Sequence, residues 1–176
     1  TENIDGINVH RHGPHIFHTD IPEVWDFINK YTTINHFSCR PKLRHEDAIY
    51  SFPINLLTMH QVYGVLTPEE AKLKIEEVTK PYKEMYPNPN NAYEYGMQLV
   101  GPELYSIFYD GYLKKQWKRD PKDIPADILK RQIFRLKFED SYYHHPHQGI
   151  PNYTLLFDNL SRGIDIITNV DYLSDK

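Results

Sequence analysis

The stretch TPEEAKLKIEEV, residues 67–78, writes a helix start in three residues and so constrains the middle of the chain. Thr67 can accept from the backbone N–H three residues on. Pro68 suits the first helical position, and Glu70 completes a capping box. YPNPNNAYEYG, 86–96, reads as a loop leading into another helix. Gly101-Pro102 then breaks the chain before PELYSIFYDGYLKKQW, where Leu104, Phe108 and Tyr112 share one helical face. DPKDIPADILKRQ, 120–132, gives a further short helix or helical loop. Residues 64–131 therefore read as a helical middle.

The flanks are mixed. INVHRH, 7–12, alternates like a strand and puts His10 and His12 on one face. DIPEVWDFINKY, 20–31, reads as a helix capped by Asp20, with Pro22 in its first turn. RPKLRHEDAIYSFPI, 40–54, suits a hairpin turning at HED. FRLKFED, 134–140, reads as a strand with Phe134, Leu136 and Phe138 on one side. TLLFDNLSRG is a helix ended by Gly163, and IDIITNV, 164–170, a last strand. These strands are too few and scattered for a sheet of their own. The expected fold class is α+β: a helical bundle-like middle flanked by short strands, part of a larger fold. The expected division is 1–63, 64–131 and 132–176.

Composition narrows the function classes. The chain has 176 residues and a formal charge of -4, which argues against a global nucleic-acid or membrane field. No apolar run approaches the roughly 18 residues of a membrane span. The sequence shows no signal peptide. The single cysteine, Cys39, excludes an internal disulfide and favours a reducing compartment. Fourteen tyrosines supply flat apolar faces with polar tips, which suit ligand pockets.

Three stretches carry candidate chemistry. HRHGPHIFHTD, 10–20, holds four histidines, and YYHHPHQG, 142–149, holds three. Their spacing matches no zinc template, so no metal is expected, although a metal-binding protein stays among the readings. Gly13-Pro14 makes a rigid turn that lets the backbone approach a ligand. In FYDGYLKKQWKRDP, Phe108, Tyr112 and Trp117 stand beside Lys114, Lys115, Lys118 and Arg119, with Arg131 and Arg135 following. Aromatic faces hold a base and arginine forks hold a diphosphate.

Together these stretches resemble the UDP-galactopyranose mutase family. The resemblance runs in order through GPHIFHTD, VWDFINKY, FPINLLTMHQVYG, TPEEA, VGPELYSIFYDGYLKKQW, DIPADILKRQ and YYHHPHQGIPNYT. GPHIFHT and GY-x-x-KQW are the specific motifs. The resemblance implies a central segment, without the family's N-terminal G-x-G-x-x-G turn and its C-terminal part. It implies a cytoplasmic flavoenzyme that interconverts UDP-galactopyranose and UDP-galactofuranose for surface polysaccharides. Covalent catalysis would run through N5 of reduced FAD, with the protein supplying position and electrostatics. Gly13, Pro14, His15 and His18 would border the flavin. Phe108 and Tyr112 would hold the uracil, and Trp117 would border the sugar. Arg131 would close on the diphosphate, Tyr142 would hydrogen-bond the phosphates, and Tyr143 would lie near base or sugar. Arg131 and Trp117 are the catalytic candidates. The partner is UDP-galactose or a related nucleotide-sugar, with no nucleic acid and no membrane insertion, and a homodimer stays open. Without its phosphate cradle this chain is expected not to hold FAD tightly by itself.

Several positions depart from the family pattern. Cys39 stands for an Asn near the substrate, Leu113 for a Thr and Lys118 for a Gly. RQIFR lacks the usual Pro, and PNYT lacks the usual glycines. The alternatives are a non-catalytic nucleotide-sugar-binding module and an inactive truncated relative.

Overall fold

The computed structural model describes residues 2–10, 16–130, 132, 134–143, 149–171, 173 and 174. The elements are mixed helices and short strands. The chain falls into two compact units, one of residues 40–142 and one of residues 1–39 with 143–176.

Unit 40–142 begins with the expected hairpin: β3 (Lys42–His45) pairs antiparallel with β4 (Ala48–Ser51), Lys42 opposite Ser51 and His45 opposite Ala48. Glu46 takes the positive φ of 52° that so tight a turn demands. Helix α2 (Leu56–Tyr63) follows, capped by Asn55, whose Oδ1 accepts from the Leu57 and Thr58 N–H groups. Helix α3 (Pro68–Met85) starts with the capping box legible in the sequence. Thr67 Oγ1 accepts from Glu70 N–H at 3.1 Å, and Glu70 Oε2 accepts from Thr67 N–H at 3.2 Å.

Helix α4 (Ala92–Tyr105) is capped by Asn91 and kinks at Gly101, with φ 78° and ψ 175°. Gly101 is not helical, so two helical segments meet at the break that Gly101-Pro102 predicts. A Cβ on Gly101 would stand 2.7 Å from Val78 Cγ2, so glycine also lets α3 and α4 approach. A π-helical turn, Ser106–Asp110, leads into α5 (Gly111–Trp117). Two 3₁₀ turns, Pro121–Asp123 and Ala126–Ile128, make up the expected helical loop. The core joins these elements through Ile54, Met59, Val100, Leu104, Phe108, Leu113, Ile124 and Leu129, all buried.

In the other unit, β1 (Glu2–Ile4) and β2 (Ile7–Val9) form a hairpin around Asp5-Gly6, both at positive φ. Sequence reading found β2 but not its partner. Helix α1 (Pro22–Ile28) takes Ile21, not Asp20, at its N-cap, because Pro22 occupies the first helical position. Thr19 Oγ1 instead accepts from the Ile21 N–H, and Trp25 Nε1 donates to the Thr19 carbonyl at 2.8 Å. Helix α6 (Tyr153–Leu160) is capped by Asn152 and ends ahead of Gly163, which takes φ 82°.

Two expected strands do not form. Residues 134–140 make one parallel bridge, Ile54 to Phe134, and then curl. The buried Arg135 causes the curl, because its Nη1 donates to the carbonyls of both Glu139 and Ser141. Leu136 is half-buried, while Phe138 points outward and is 68% exposed. Residues 164–170 alternate correctly but have no strand beside them among the described residues, and a lone strand leaves its backbone unpaired. No helix among the described residues is long and apolar enough to cross a membrane.

Candidate functional site

A cavity of about 430 Å³ opens in unit 40–142, within the usual size range of small-molecule sites. Hairpin residues Lys42, Leu43 and Arg44 form one side. Phe108, Tyr109 and Tyr112, from the π-helical turn and α5, form another, and Phe52, Gln132 and Tyr142 complete the lining. Phe108, in the π-helical turn, and Tyr112, in α5, take different settings. Phe108 is buried, stacked on Phe52 at 6.1 Å and edge-on to Tyr50 at 5.9 Å. Tyr112 stands at the rim, 51% exposed, and its ring makes no aromatic contact among the described residues. Phe108 is thus a wall and Tyr112 a platform.

The loop that carries Tyr142 is fastened on both sides. Asp140 accepts from Arg40 Nε at 3.2 Å and from Lys42 Nζ at 2.9 Å, which ties the loop to β3. Glu139 accepts from Ser141 N–H and Oγ–H, and these bonds hold its carboxyl below the usual range. The Tyr142 ring then tilts against Phe52, with centroids 5.8 Å apart. Behind the wall, the Tyr109 hydroxyl is buried without a hydrogen-bond partner among the described residues. Burial raises its pKa first, helped by the neighbouring Tyr142 and Tyr95, so the phenol stays neutral.

Residues 107–176 match the sequence profile of the family described as UDP-galactopyranose mutase. The chain is 44% identical over 158 residues to the dTDP-fucopyranose mutase of Escherichia coli, across 88% of this chain and 41% of that protein. It is 35% identical over 158 residues to a probable UDP-galactopyranose mutase of Klebsiella pneumoniae, with 88% and 40% covered. A UDP-galactopyranose mutase of Mycoplasma pneumoniae is 24% identical over 167 residues, again with 88% and 40% covered.

The chain is thus similar over 88% of its length to proteins named as mutases of this kind, and residues 107–176 carry the family's profile. It spans about two-fifths of the length of these curated relatives.

Of the residues that the resemblance to these mutases points to, the fold brings Phe108, Tyr112 and Tyr142 onto one cavity. Trp117 ends α5, 43% exposed, and is not part of the cavity lining. In the other unit His18 stacks on Tyr143, with centroids 4.2 Å apart and planes 20° apart. His18 is exposed, whereas burial and the nearby Cys39 raise the pKa of the half-buried Tyr143. Gly13, Pro14, His15 and Arg131 lie outside the described residues, as do His12, His144, His145 and His147. His10 borders a small cavity with Asn3 and residues 150–154. Among the described residues no group of three or more His, Cys, Asp or Glu side chains gathers as a metal site would require.

The basic stretch after α5 does not supply the cavity's charge. Lys114 pairs with Asp110 at 2.8 Å, and Lys114, Lys115, Lys118 and Arg119 stand outside the lining. Arg135, read from the sequence as half of a diphosphate fork, instead organises the backbone of its own loop. The cations on the cavity are Lys42 and Arg44, which sequence reading passed over. Their signal was present: PKLR lies in a predicted hairpin strand, and alternation puts Lys42 and Arg44 on one face.

Proposed function

We propose that this chain carries the nucleotide-sugar-binding part of a flavin-dependent mutase that interconverts the pyranose and furanose forms of a nucleoside-diphosphate sugar, UDP-galactose being the first candidate. The observation that supports this most is the convergence of Phe108, Tyr112 and Tyr142 on one cavity with cations beside it. A pyrimidine ring stacks on Tyr112 and abuts Phe108. Tyr142 hydrogen-bonds the phosphates, and Arg131 closes on them. Neutralising charge on the departing diphosphate stabilises the transition state. Closure over the sugar excludes water from a reactive centre that Trp117 borders.

Gly13, Pro14, His15 and His18 are the residues proposed to border FAD. The flat His18–Tyr143 stack, with His18 exposed and Tyr143 half-buried, fits a planar ring system. Reduced flavin brings to such a site a nucleophilic ring nitrogen for the sugar's anomeric carbon. The chain's share is to hold the nucleotide and orient the sugar. A cytoplasmic setting follows from where nucleotide sugars are made.

A second reading, a dTDP-linked sugar, is favoured by one observation: identity is 44% to the dTDP-fucopyranose mutase against 35% to the probable UDP-galactopyranose mutase. Calorimetry with UDP and dTDP separates the two, because the preferred base binds tighter. Incubation with FAD, dithionite and each nucleotide furanose, followed by chromatography, tests turnover. Absence of heat with either nucleotide would sink both readings. Turnover by this chain alone would rule out a purely binding module, whereas nucleotide binding without turnover is what the leading reading expects of a part that does not hold FAD tightly.

A further inference from the structure

The lining of the cavity in unit 40–142 is of two chemical kinds. Phe52, Phe108, Tyr112 and Tyr142 make an aromatic side. From β3 come the exposed cations Lys42 and Arg44, two residues apart and so on the same side of the strand, with Leu43 between them packed against the core. The two cations are not equivalent. Lys42 is committed, because its Nζ binds Asp140 Oδ2 at 2.9 Å while Arg40 Nε holds the other carboxylate oxygen at 3.2 Å. Arg44 is held by its inner nitrogen alone: Nε donates to the Glu46 carbonyl at 3.2 Å. Its two terminal nitrogens make no hydrogen bond among the described residues. The guanidinium is thereby oriented, while the N–H groups suited to a bidentate anion stay available.

We propose that Arg44 is a specificity-determining residue that binds the phosphate end of a nucleoside diphosphate held in this cavity. The inference rests on the nucleotide-sugar reading of the cavity and adds a residue to it. The pairing supports an anion at Arg44, since Arg40 and Lys42 share the carboxylate of Asp140 while Arg44 makes no ion pair among the described residues. The aromatic side supplies the seat for a base, so the bound molecule must join a flat ring to an anion. Asp140 has a positioning role: it spends Lys42 on holding the Tyr142 loop and leaves Arg44 as the cation for the ligand.

The test is calorimetry of the 176-residue chain with UDP, dTDP and uridine, for the unaltered chain, Arg44→Gln, Arg44→Lys and Tyr112→Ala. Arg44 is exposed, so its variants should fold, and circular dichroism checks this. Arg44→Gln should weaken the nucleoside diphosphates about tenfold or more, flatten their salt dependence and leave uridine unchanged. Arg44→Lys should recover part of the loss, since it keeps the charge without the fork. Unchanged diphosphate affinity in Arg44→Gln, with loss in Tyr112→Ala, would overturn the inference and leave the nucleotide-sugar reading standing. An equal loss for uridine and UDP would also overturn it. If the unaltered chain binds neither UDP nor dTDP, the nucleotide-sugar reading fails and the inference falls with it.

Discussion

Unit 40–142 and the unit of residues 1–39 with 143–176 bury their apolar side chains very differently. The first gathers fourteen buried apolar residues into one cluster, built from α2 through the second 3₁₀ turn. The second buries Ile150 and Leu156, but leaves Ile164, Ile166, Ile167, Val170 and Leu173 exposed. The aromatic cavity belongs to the first, and the His18–Tyr143 stack to the second. The proposed nucleotide seat thus rests on a dense core, and the proposed cofactor side of the chain on a thinner one among the described residues. Dense cores hold geometry because every displaced atom loses contacts.

The contrast can be broken most forcefully with Leu104→Ala. It removes a fully buried side chain and should cost about 2–5 kcal/mol. Urea unfolding should show the loss, and Ile167→Ala, at 82% exposure, should stay within about 0.5 kcal/mol. Equal effects would mean the two units do not differ as described. Gly101→Ala comes next. It forces a side chain onto a positive φ and against Val78, for a loss of about 1–3 kcal/mol seen as a lower melting temperature. Thr67→Ala takes one hydrogen bond from the α3 capping box and should cost about 1 kcal/mol.

The smallest expected effect is acid sensitivity of the Tyr142 loop. The folded pKa of Glu139 is depressed by Ser141, so its contribution is complete above the unfolded value, near 4.3. It fades as pH falls through the lower, folded value. Ser141→Ala should bring that loss to higher pH and shrink it, as tracked by acid titration of tyrosine fluorescence. An unchanged profile would show that the Ser141 bonds do not hold the loop.

Elements whose signals are local were legible in the sequence. The Thr67 and Glu70 box, the hairpin around residues 45–47 and the Gly101-Pro102 break each depend on neighbours within four residues. Two strand expectations failed because alternation reports which side chains share a face, not whether a partner strand exists. Residues 134–140 alternate, but the guanidinium of Arg135 recruits their carbonyls and curls them. The site shows the same division. Phe108 and Tyr112 were found from their spacing on one helix and from family motifs. Lys42, Arg44, Phe52 and Gln132 reach the same cavity from distant parts of the chain, and helical spacing is silent about such meetings.

The π-helical turn at Ser106–Asp110 carries a consequence for chain length. In a helix each residue turns the following side chains by about 100°. That five-residue turn sets the angle between the sunken Phe108 ring and the open Tyr112 ring. Many substitutions within it would leave the angle intact, but removing or adding a single residue would swing Tyr112 and all of α5 away from the cavity. The proposed base platform is therefore encoded as a number of residues as much as by their identities. A scan of single-residue deletions along α4 and α5 should find its sharpest loss of nucleotide binding there.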